Sequence, residues 1–165
     1  PVAERVSAAA FSASANGVLA YGSGQLSLAI GTIPGRVQGQ LTWFDRQGKV
    51  LRTVGEPGLF RKLSLSPDGT QVAYEVTDPQ SQNPDIRVFE FKRGVSTRFT
   101  FAPEPDFSPL WSQPDGKWIV YASIRSGVPA WYRKAASGAS DEELWIQPGK
   151  SATPGSWSGS TLHAV

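Results

Sequence analysis

The stretch from Leu63 to Tyr74 reads LSLSPDGTQVAY, and a closely similar one, PLWSQPDGKWIVY, runs from Pro109 to Tyr121. Each places a short apolar segment on either side of a turn that contains serine, proline, aspartate and glycine. Proline presets the first backbone angle of such a turn, aspartate bonds nearby backbone, and glycine accepts a positive φ. Both stretches are therefore predicted to be β-hairpins.

The hairpin recurs along the chain at intervals of about fifty residues. A third copy, FSASANGVLAY, spans Phe11 to Tyr21, and a degenerate one, GSWSGSTLHAV, spans Gly155 to Val165. Two more strand candidates follow each of the first three copies, at 40–46 and 49–54, at 85–91 and 95–101, and at 130–134 and 142–147. The spacing alone also permits other β repeats, but four strands per unit favour a propeller blade.

The sequence thus predicts an all-β chain, a partial β-propeller of about three and a half four-stranded antiparallel blades. The predicted units are blades at 8–54, 61–101 and 107–147 and a half blade at 155–165. The 13 prolines and 17 glycines agree with many short strands joined by tight turns. Trp111 and Trp157 recur at one repeat position and Trp43 and Trp131 lie in third strands, so these four are predicted to pack between blades.

Composition argues against several classes of protein. The 16 Lys and Arg are interspersed with 14 Asp and Glu for a net charge of +2, which does not form the clustered basic face of a nucleic-acid-binding protein. The absence of cysteine excludes disulfides and thiolate metal sites. No apolar run approaches the roughly 18 residues that a membrane-spanning helix needs.

The chain resembles the TolB-like, WD-like β-propeller repeat, whose signature is a Trp-Ser-Pro-Asp-Gly hairpin, an aromatic-rich strand and a Ser-x-Arg-x-Gly loop. The matching residues are Trp111, Ser112, Pro114, Asp115, Gly116, Tyr121, Ser123, Arg125 and Gly127. The sequences of the second and third repeats are most similar to propellers attached to bacterial serine/threonine kinases. They are more distantly similar to TolB and to the propellers of prolyl-oligopeptidase-type hydrolases. Gln113 splits the motif of the third repeat, and Gly159-Ser160 replaces it in the last.

The resemblance implies a bacterial, often extracytoplasmic, module that binds a protein or peptide or senses a ligand and has no enzymatic activity of its own. The alternative is a gating propeller that selects substrates for a prolyl-oligopeptidase-type hydrolase. A third hypothesis, a lectin-like binder, follows from the abundance of tryptophan. The resemblance implies no cofactor.

Catalytic and metal-binding residues are not predicted. His163 is the only histidine, and no Gly-x-Ser-x-Gly elbow accompanies it. The aspartates occur singly rather than in a calcium-binding Asp-x-Asp-x-Asp loop, and the acidic run Asp141-Glu142-Glu143 is expected to be a solvated turn.

Six residues are the candidate binding residues. Arg61, Lys62, Asp106 and Phe107 differ from repeat to repeat and precede inner strands, so they are expected at the mouth of the central channel. Trp145 stands beside two glutamates, and Arg125, which belongs to the family signature, either binds a partner or bridges blades.

Three and a half blades cannot close a ring, so both end blades are expected to meet another partner. The expected partner is the remainder of a longer parent chain. Alternatively, two copies could associate into a ring of about seven blades.

Overall fold

The computed structural model describes residues 11–13, 19–23, 39–44, 49–78, 80–148, 152–158 and 161–164. These residues form thirteen β-strands, and the described part of the chain contains no helix. None of it has the helical length and hydropathy of a membrane span. The prediction of an all-β fold is confirmed. The predicted turns at Asn16-Gly17, Gln47-Gly48 and Gly159-Ser160 lie outside the described residues.

The strands pair in sequence order, and every pair is antiparallel. Strands β1 to β7 form one continuous ladder, β8 to β11 a second, and β12 and β13 a hairpin. Their bounds are β1 Phe11–Ala13, β2 Leu19–Ser23, β3 Gly39–Phe44, β4 Val50–Leu65, β5 Gln71–Thr77, β6 Pro84–Glu90, β7 Val95–Arg98, β8 Asp106–Trp111, β9 Trp118–Ser123, β10 Ala130–Ala135, β11 Glu143–Ile146, β12 Pro154–Ser158 and β13 Thr161–Ala164.

Strand β4 is longer than expected, because the predicted break after Val54 does not occur. Its first part pairs with β3 as far as Gly58, and its second part pairs with β5 from Leu59 onward. Pro57, which has no N–H to donate, falls in the register shift before Gly58, where the β3 ladder is already irregular. One extended segment therefore carries the chain from one four-strand group to the next.

We call β1 to β3 with residues 50–58 the first sheet, residues 59–65 with β5 to β7 the second sheet, and β8 to β11 the third sheet. The predicted blade limits stay a prediction, since β4 itself has no break that would define them. The sheets stack face to face through three clusters of buried apolar side chains. Leu41, Trp43, Leu65 and Phe89 lie between the first two sheets.

The second cluster joins the second and third sheets and includes Ile86, Phe99, Trp111 and Tyr121. The third joins the third sheet to the β12–β13 hairpin, where Trp131 packs with Trp145, Trp157 and Leu162. The expectation that tryptophans at repeated positions fill the core is confirmed for Trp43, Trp111 and Trp131, which are at most 6% exposed.

The two hairpin turns have the same hydrogen-bond pattern despite the inserted Gln113. Ser66 Oγ donates to Asp68 at 2.6 Å, and Ser112 Oγ donates to Asp115 at 2.9 Å. Each serine also receives the N–H that opens the next strand, from Gln71 at 2.9 Å and from Trp118 at 3.1 Å. The third repeat thus absorbs its extra residue inside the turn and keeps the strand register.

Two side-chain-to-backbone hydrogen bonds tie the second sheet to the third. Ser64 Oγ accepts the N–H of Trp111 at 3.1 Å, and Glu75 Oε2 accepts the N–H of Ser108 at 3.2 Å. Glu75 is 3% exposed, and burial raises the pKa of its carboxyl group, while the Ser108 hydrogen bond and the charges of Arg61 and Lys62 oppose the shift.

Gly116 combines a φ of +61° with a crowded position, because a Cβ atom there would lie 3.0 Å from Pro67 Cδ. Gly94 has a similar φ of +67°, but a Cβ atom there would meet nothing within 4 Å. We expect Gly94→Ala to cost about 1–2 kcal/mol of unfolding free energy from backbone strain alone. Gly116→Ala should cost about 1–3 kcal/mol more from overpacking. Urea denaturation measures both, and equal losses would contradict the close packing of the two turns.

The Glu75 carboxyl group predicts a pH-dependent stability. Its folded pKa lies above the ordinary value of 4.5, so the native state holds the proton more tightly and loses stability as pH rises through that folded value. Glu75→Gln keeps an acceptor for Ser108, so its stability relative to the wild type should be higher at pH 7 than at pH 4. Glu75→Ala removes the acceptor and should cost about 1–3 kcal/mol at pH 4. The cost should be smaller at pH 7, where the wild type itself is less stable.

The measurement is urea denaturation of each variant at both pH values, with the exposed Glu56→Gln as the matched control. If the difference between Glu75→Gln and the wild type is the same at pH 4 and pH 7, the carboxyl group does not titrate in the way that its burial requires.

Candidate functional site

Arg61 and Lys62 lie in a bulge of β4, where the register with β5 shifts between Phe60 and Leu63. Strand β8 has a bulge between Phe107 and Leu110 in its pairing with β9. A bulge adds an unpaired residue, bends its strand and redirects side chains. The sequence-predicted residues Arg61 and Lys62 therefore lie in the bulge of the first strand of the second sheet. Phe107 lies beside the equivalent bulge in the first strand of the third sheet.

Glu75 brings the two bulges together. Its Oε1 lies 3.8 Å from Arg61 Nε, and its Oε2 accepts the N–H of Ser108, whose φ of +55° is unusual for a residue other than glycine. The carboxylate thereby fixes β8 beside the cations of β4. Sequence reasoning missed Glu75, although a single charge inside the apolar run Val72 to Val76 was a signal that could have found it.

Arg61 and Lys62 form an exposed cationic pair on this bulge, which we call the bulge surface. The side chain of Arg61 is 65% exposed, and its contact with Glu75 is longer than a hydrogen bond. Lys62 is also exposed. Guanidinium and ammonium groups that keep free donors bind carboxylates and other anions, so the surface is suited to an acidic ligand.

Asp106 belongs to a charge cluster with Arg125 and Glu142. It is 0% exposed, and its Oδ1 accepts a hydrogen bond from Arg125 Nη2 at 2.9 Å. Burial raises the pKa of Asp106, while hydrogen bonds from Ser123 and Arg125 act in the opposite direction. The carboxyl group at this position serves the interior of the third sheet.

The contacts of Arg125 that the structure describes lie within the third sheet. Its Nη1 donates to Glu142 at 2.6 Å, its Nε donates to Ser123 at 3.0 Å, and its guanidinium lies 4.2 Å from the ring centre of Tyr132. Burial acts to lower the pKa of Arg125, but its bonds to Glu142 and Asp106 outweigh burial and raise it. The residue clamps the loop after β9 to β8, β10 and the start of β11.

Trp145 and Phe107 are half-buried in the third cluster. The Trp145 ring stacks on that of Trp157 at 6.3 Å, and the guanidinium of Arg133 lies 5.7 Å from the Trp145 ring centre. The contact between the Trp145 and Trp157 rings packs the β12–β13 hairpin against the third sheet. The structure therefore keeps Arg61 and Lys62 together on the bulge of β4, and it places Phe107 and Trp145 in the third cluster. Asp106 and Arg125 are bonded to each other within the third sheet.

A cavity of about 460 Å³ lies between the two hairpin turns. The hydrogen bond from Ser66 and the N–H of Thr70 lower the pKa of Asp68, and the N–H of Lys117 and the Ser112 hydroxyl lower that of Asp115. Both carboxylates are thus occupied in holding their turns. Within the described residues, no three His, Cys, Asp or Glu side chains gather as a metal site would require.

No family model matches the chain. Solved structures do resemble it: a TolB-like protein of Agrobacterium tumefaciens has a TM-score of 0.64 at 23% identity, and TolB of Acinetobacter baumannii has 0.61 at 21%. The β-propeller domain of the Trilobed protease of Pyrococcus furiosus has 0.64 at 12%. These matches cover 82%, 87% and 87% of the chain.

The chain spans 44%, 33% and 43% of the lengths of these three proteins. Identities this low establish the fold alone. The stacked antiparallel sheets and these matches show that the chain has the fold of part of a β-propeller, similar to that of TolB and of the Trilobed protease.

Proposed function

We propose that the chain is a non-catalytic β-propeller module that binds a protein or peptide, or senses a ligand, as part of a larger bacterial protein. The observation that supports this function is the bulge surface, where Arg61 and Lys62 are exposed beside the buried Glu75. The bulge surface is the binding site, and an acidic group of the partner is its ligand.

The bulge surface is anchored by a buried residue beneath it. Glu75 is buried between two sheets and bonded to the backbone of β8, so the bulge that carries the cations is anchored at its base. A preorganised site loses less conformational entropy on binding than a mobile loop does.

The chemistry of the two side chains supports binding rather than catalysis. Arg and Lys carry a full positive charge at neutral pH and act as hydrogen-bond donors. Paired cationic donors recognise carboxylates and steer the approach of an acidic partner. The module is therefore a receptor for an acidic partner.

The parent protein supplies further blades in this proposal. Its basis is that the chain spans less than half of the proteins that share its fold. Attachment to a bacterial serine/threonine kinase and an extracytoplasmic location belong to the same proposal. Both rest on the resemblance of the repeat sequences to those of propellers attached to such kinases.

A second candidate function is a gating propeller of a prolyl-oligopeptidase-type hydrolase. The TM-score of 0.64 with the propeller domain of the Trilobed protease equals that with the TolB-like protein, which favours keeping this candidate. The two functions differ in what the bulge surface would govern. As a gate, it would govern which peptides the parent protein cleaves, and charge reversal there would change the cleavage products.

Photo-cross-linking identifies the partner, and charge reversal then tests whether it binds at the bulge surface. A photo-cross-linking residue placed at position 61 or 62 in the bacterial parent protein should capture a specific partner, and the same residue at position 117 should not. Binding of that partner, once purified, should then weaken about tenfold or more with Arg61→Glu and Lys62→Glu combined. Calorimetry at two salt concentrations measures the loss, which should be smaller at high salt.

The matched control combines Lys49→Glu and Lys117→Glu, which makes the same change in charge at two exposed positions. Its affinity should stay within about twofold of the wild type. Equal weakening by both double variants would mean that only net charge matters, and the bulge surface would then not be the site.

A further inference from the structure

A groove opens between the second and third sheets beside the outer strand β7. Its volume is about 390 Å³, which is in the range of ligand-binding clefts. We call it the rim groove, and its main apolar lining residues are Val88, Val95, Phe99, Phe101 and Ala136. These residues belong to β6, β7, the segment after β7 and the turn after β10, so the groove shares no residue with the bulge surface.

Strand β7 offers an unpaired backbone edge to this groove. It is the last strand of its ladder and pairs with β6 alone among the described residues. Phe99 donates its N–H to Ile86 O at 2.8 Å, just beyond the paired segment. Because bonded positions alternate in an antiparallel ladder, the main-chain groups of Ser96 and Arg98 face away from β6. They can receive one additional strand.

Two large apolar side chains beside this edge are exposed. Phe101 is 63% exposed and Val95 is 43% exposed. The guanidinium of Arg98 lies 5.2 Å from the centre of the Phe101 ring and leaves much of that ring accessible. Exposed apolar side chains grouped at the mouth of a groove mark an interaction surface.

The groove also contains a buried cation that has no carboxylate partner in the described structure. Lys134 is 8% exposed, and its Nζ donates to Phe99 O at 3.0 Å. It lies 5.2 Å from the Phe99 ring centre and 5.5 Å from that of Phe101, and it forms no ion pair with any described residue. A buried charge is stabilised most by an opposite charge, so an incoming carboxylate would supply what this site lacks.

The other cations around the groove are paired with carboxylates. Arg98 is bonded to Asp85 at 2.9 Å, and Arg93, whose side chain is 69% exposed, lies 3.4 Å from Glu90. The two charges of each pair compensate one another, and Lys134 remains as an excess positive charge. An anionic partner is therefore favoured over a cationic one.

We infer that the rim groove binds an extended, acidic segment of a partner protein, which adds as a strand beside β7. Its backbone pairs with Ser96 and Arg98, one of its apolar side chains packs between Val95 and Phe101, and the carboxylate two residues along, on the same face of the added strand, reaches Lys134. A sulfated polysaccharide has the required charge, but it can use neither the apolar lining nor the open backbone edge. A protein segment uses all three features.

The test uses fluorescence anisotropy with labelled peptides on the intact chain. The probe is a ten-residue peptide in which every second residue is threonine, and the residues between them alternate between glutamate and valine or phenylalanine. Acidic and apolar side chains then share one face of the extended peptide. A second peptide replaces glutamate with lysine, and a third carries N-methyl groups at alternate residues, which removes strand pairing on one edge. We expect the acidic probe to bind at least about tenfold more tightly than either.

Variants place the probe in the groove. Phe101→Ser and Arg93→Glu alter exposed side chains, so both should fold normally and weaken the acidic probe about tenfold. Leu144→Ser, at a residue that is 54% exposed on β11, is the matched control and should change affinity less than about twofold. Circular dichroism verifies that all three remain folded.

Three results would overturn the inference. They are equal binding of the acidic and lysine peptides, equal binding of the N-methylated peptide, and equal effects of Phe101→Ser and Leu144→Ser. Competition by heparin together with unchanged binding of the N-methylated peptide would identify a general anion site instead. Because no residue of the bulge surface is altered, failure here leaves the function proposed for Arg61 and Lys62 intact.

Discussion

Face-to-face packing of thin antiparallel sheets is the constraint on which the rest of the molecule depends. The strand β5 shows why, because Val72 and Tyr74 pack toward the first sheet while Ala73 packs toward the third. With both faces apolar, such a sheet cannot be stable in water unless it has a neighbour on each side. Stacking therefore sets the architecture, and the turns and outer edges remain to differ between repeats.

The same packing makes buried polar groups decisive for register. Ser64 and Glu75 each accept one backbone N–H from β8, and these bonds fix how far the third sheet slides along the second. A buried carboxyl group is a costly way to do this, because its charged form is poorly solvated. The cost is offset where the carboxylate also orders the bulges, so the bulge surface is part of the mechanism that aligns the sheets.

Local chemistry made much of the fold predictable from sequence. Proline, aspartate and glycine specify a turn within four or five residues, so the hairpins at Gly69 and Gly116 could be located despite Gln113. The long strand β4 could not be predicted, since Gly55 and Pro57 favour a break locally. The strand continues because the residues on either side of them pair with β3 and β5. Arg61 and Lys62 could be singled out from sequence because they differ from the residues of the other repeats, and their position at a channel mouth stays a prediction.

Contacts between distant residues were beyond such reasoning. Arg125 meets partners that lie 19 and 17 residues away in opposite directions, at Asp106 and Glu142, and no pattern in the chain encodes that meeting. The rim groove was missed for the same reason. It arises only when Phe101 and Lys134, which belong to successive repeats, are brought to one opening by the stacking of two sheets.

The outer edges of the second and third sheets differ in a way that bears on partner choice. On β11, Glu143 pairs with Arg133, and Trp145 stacks on Trp157, so these two side chains are engaged within the molecule. On β7, the charge nearest the open backbone is that of Arg98. Charged side chains on an edge strand oppose unwanted pairing, and a cation opposes it selectively. Because Arg98 is paired with Asp85, the excess charge at this opening is that of Lys134. A second copy would bring another such cation, whereas an acidic strand would bring a carboxylate. The edge is thereby guarded against a second copy of the chain while it stays open to an acidic partner.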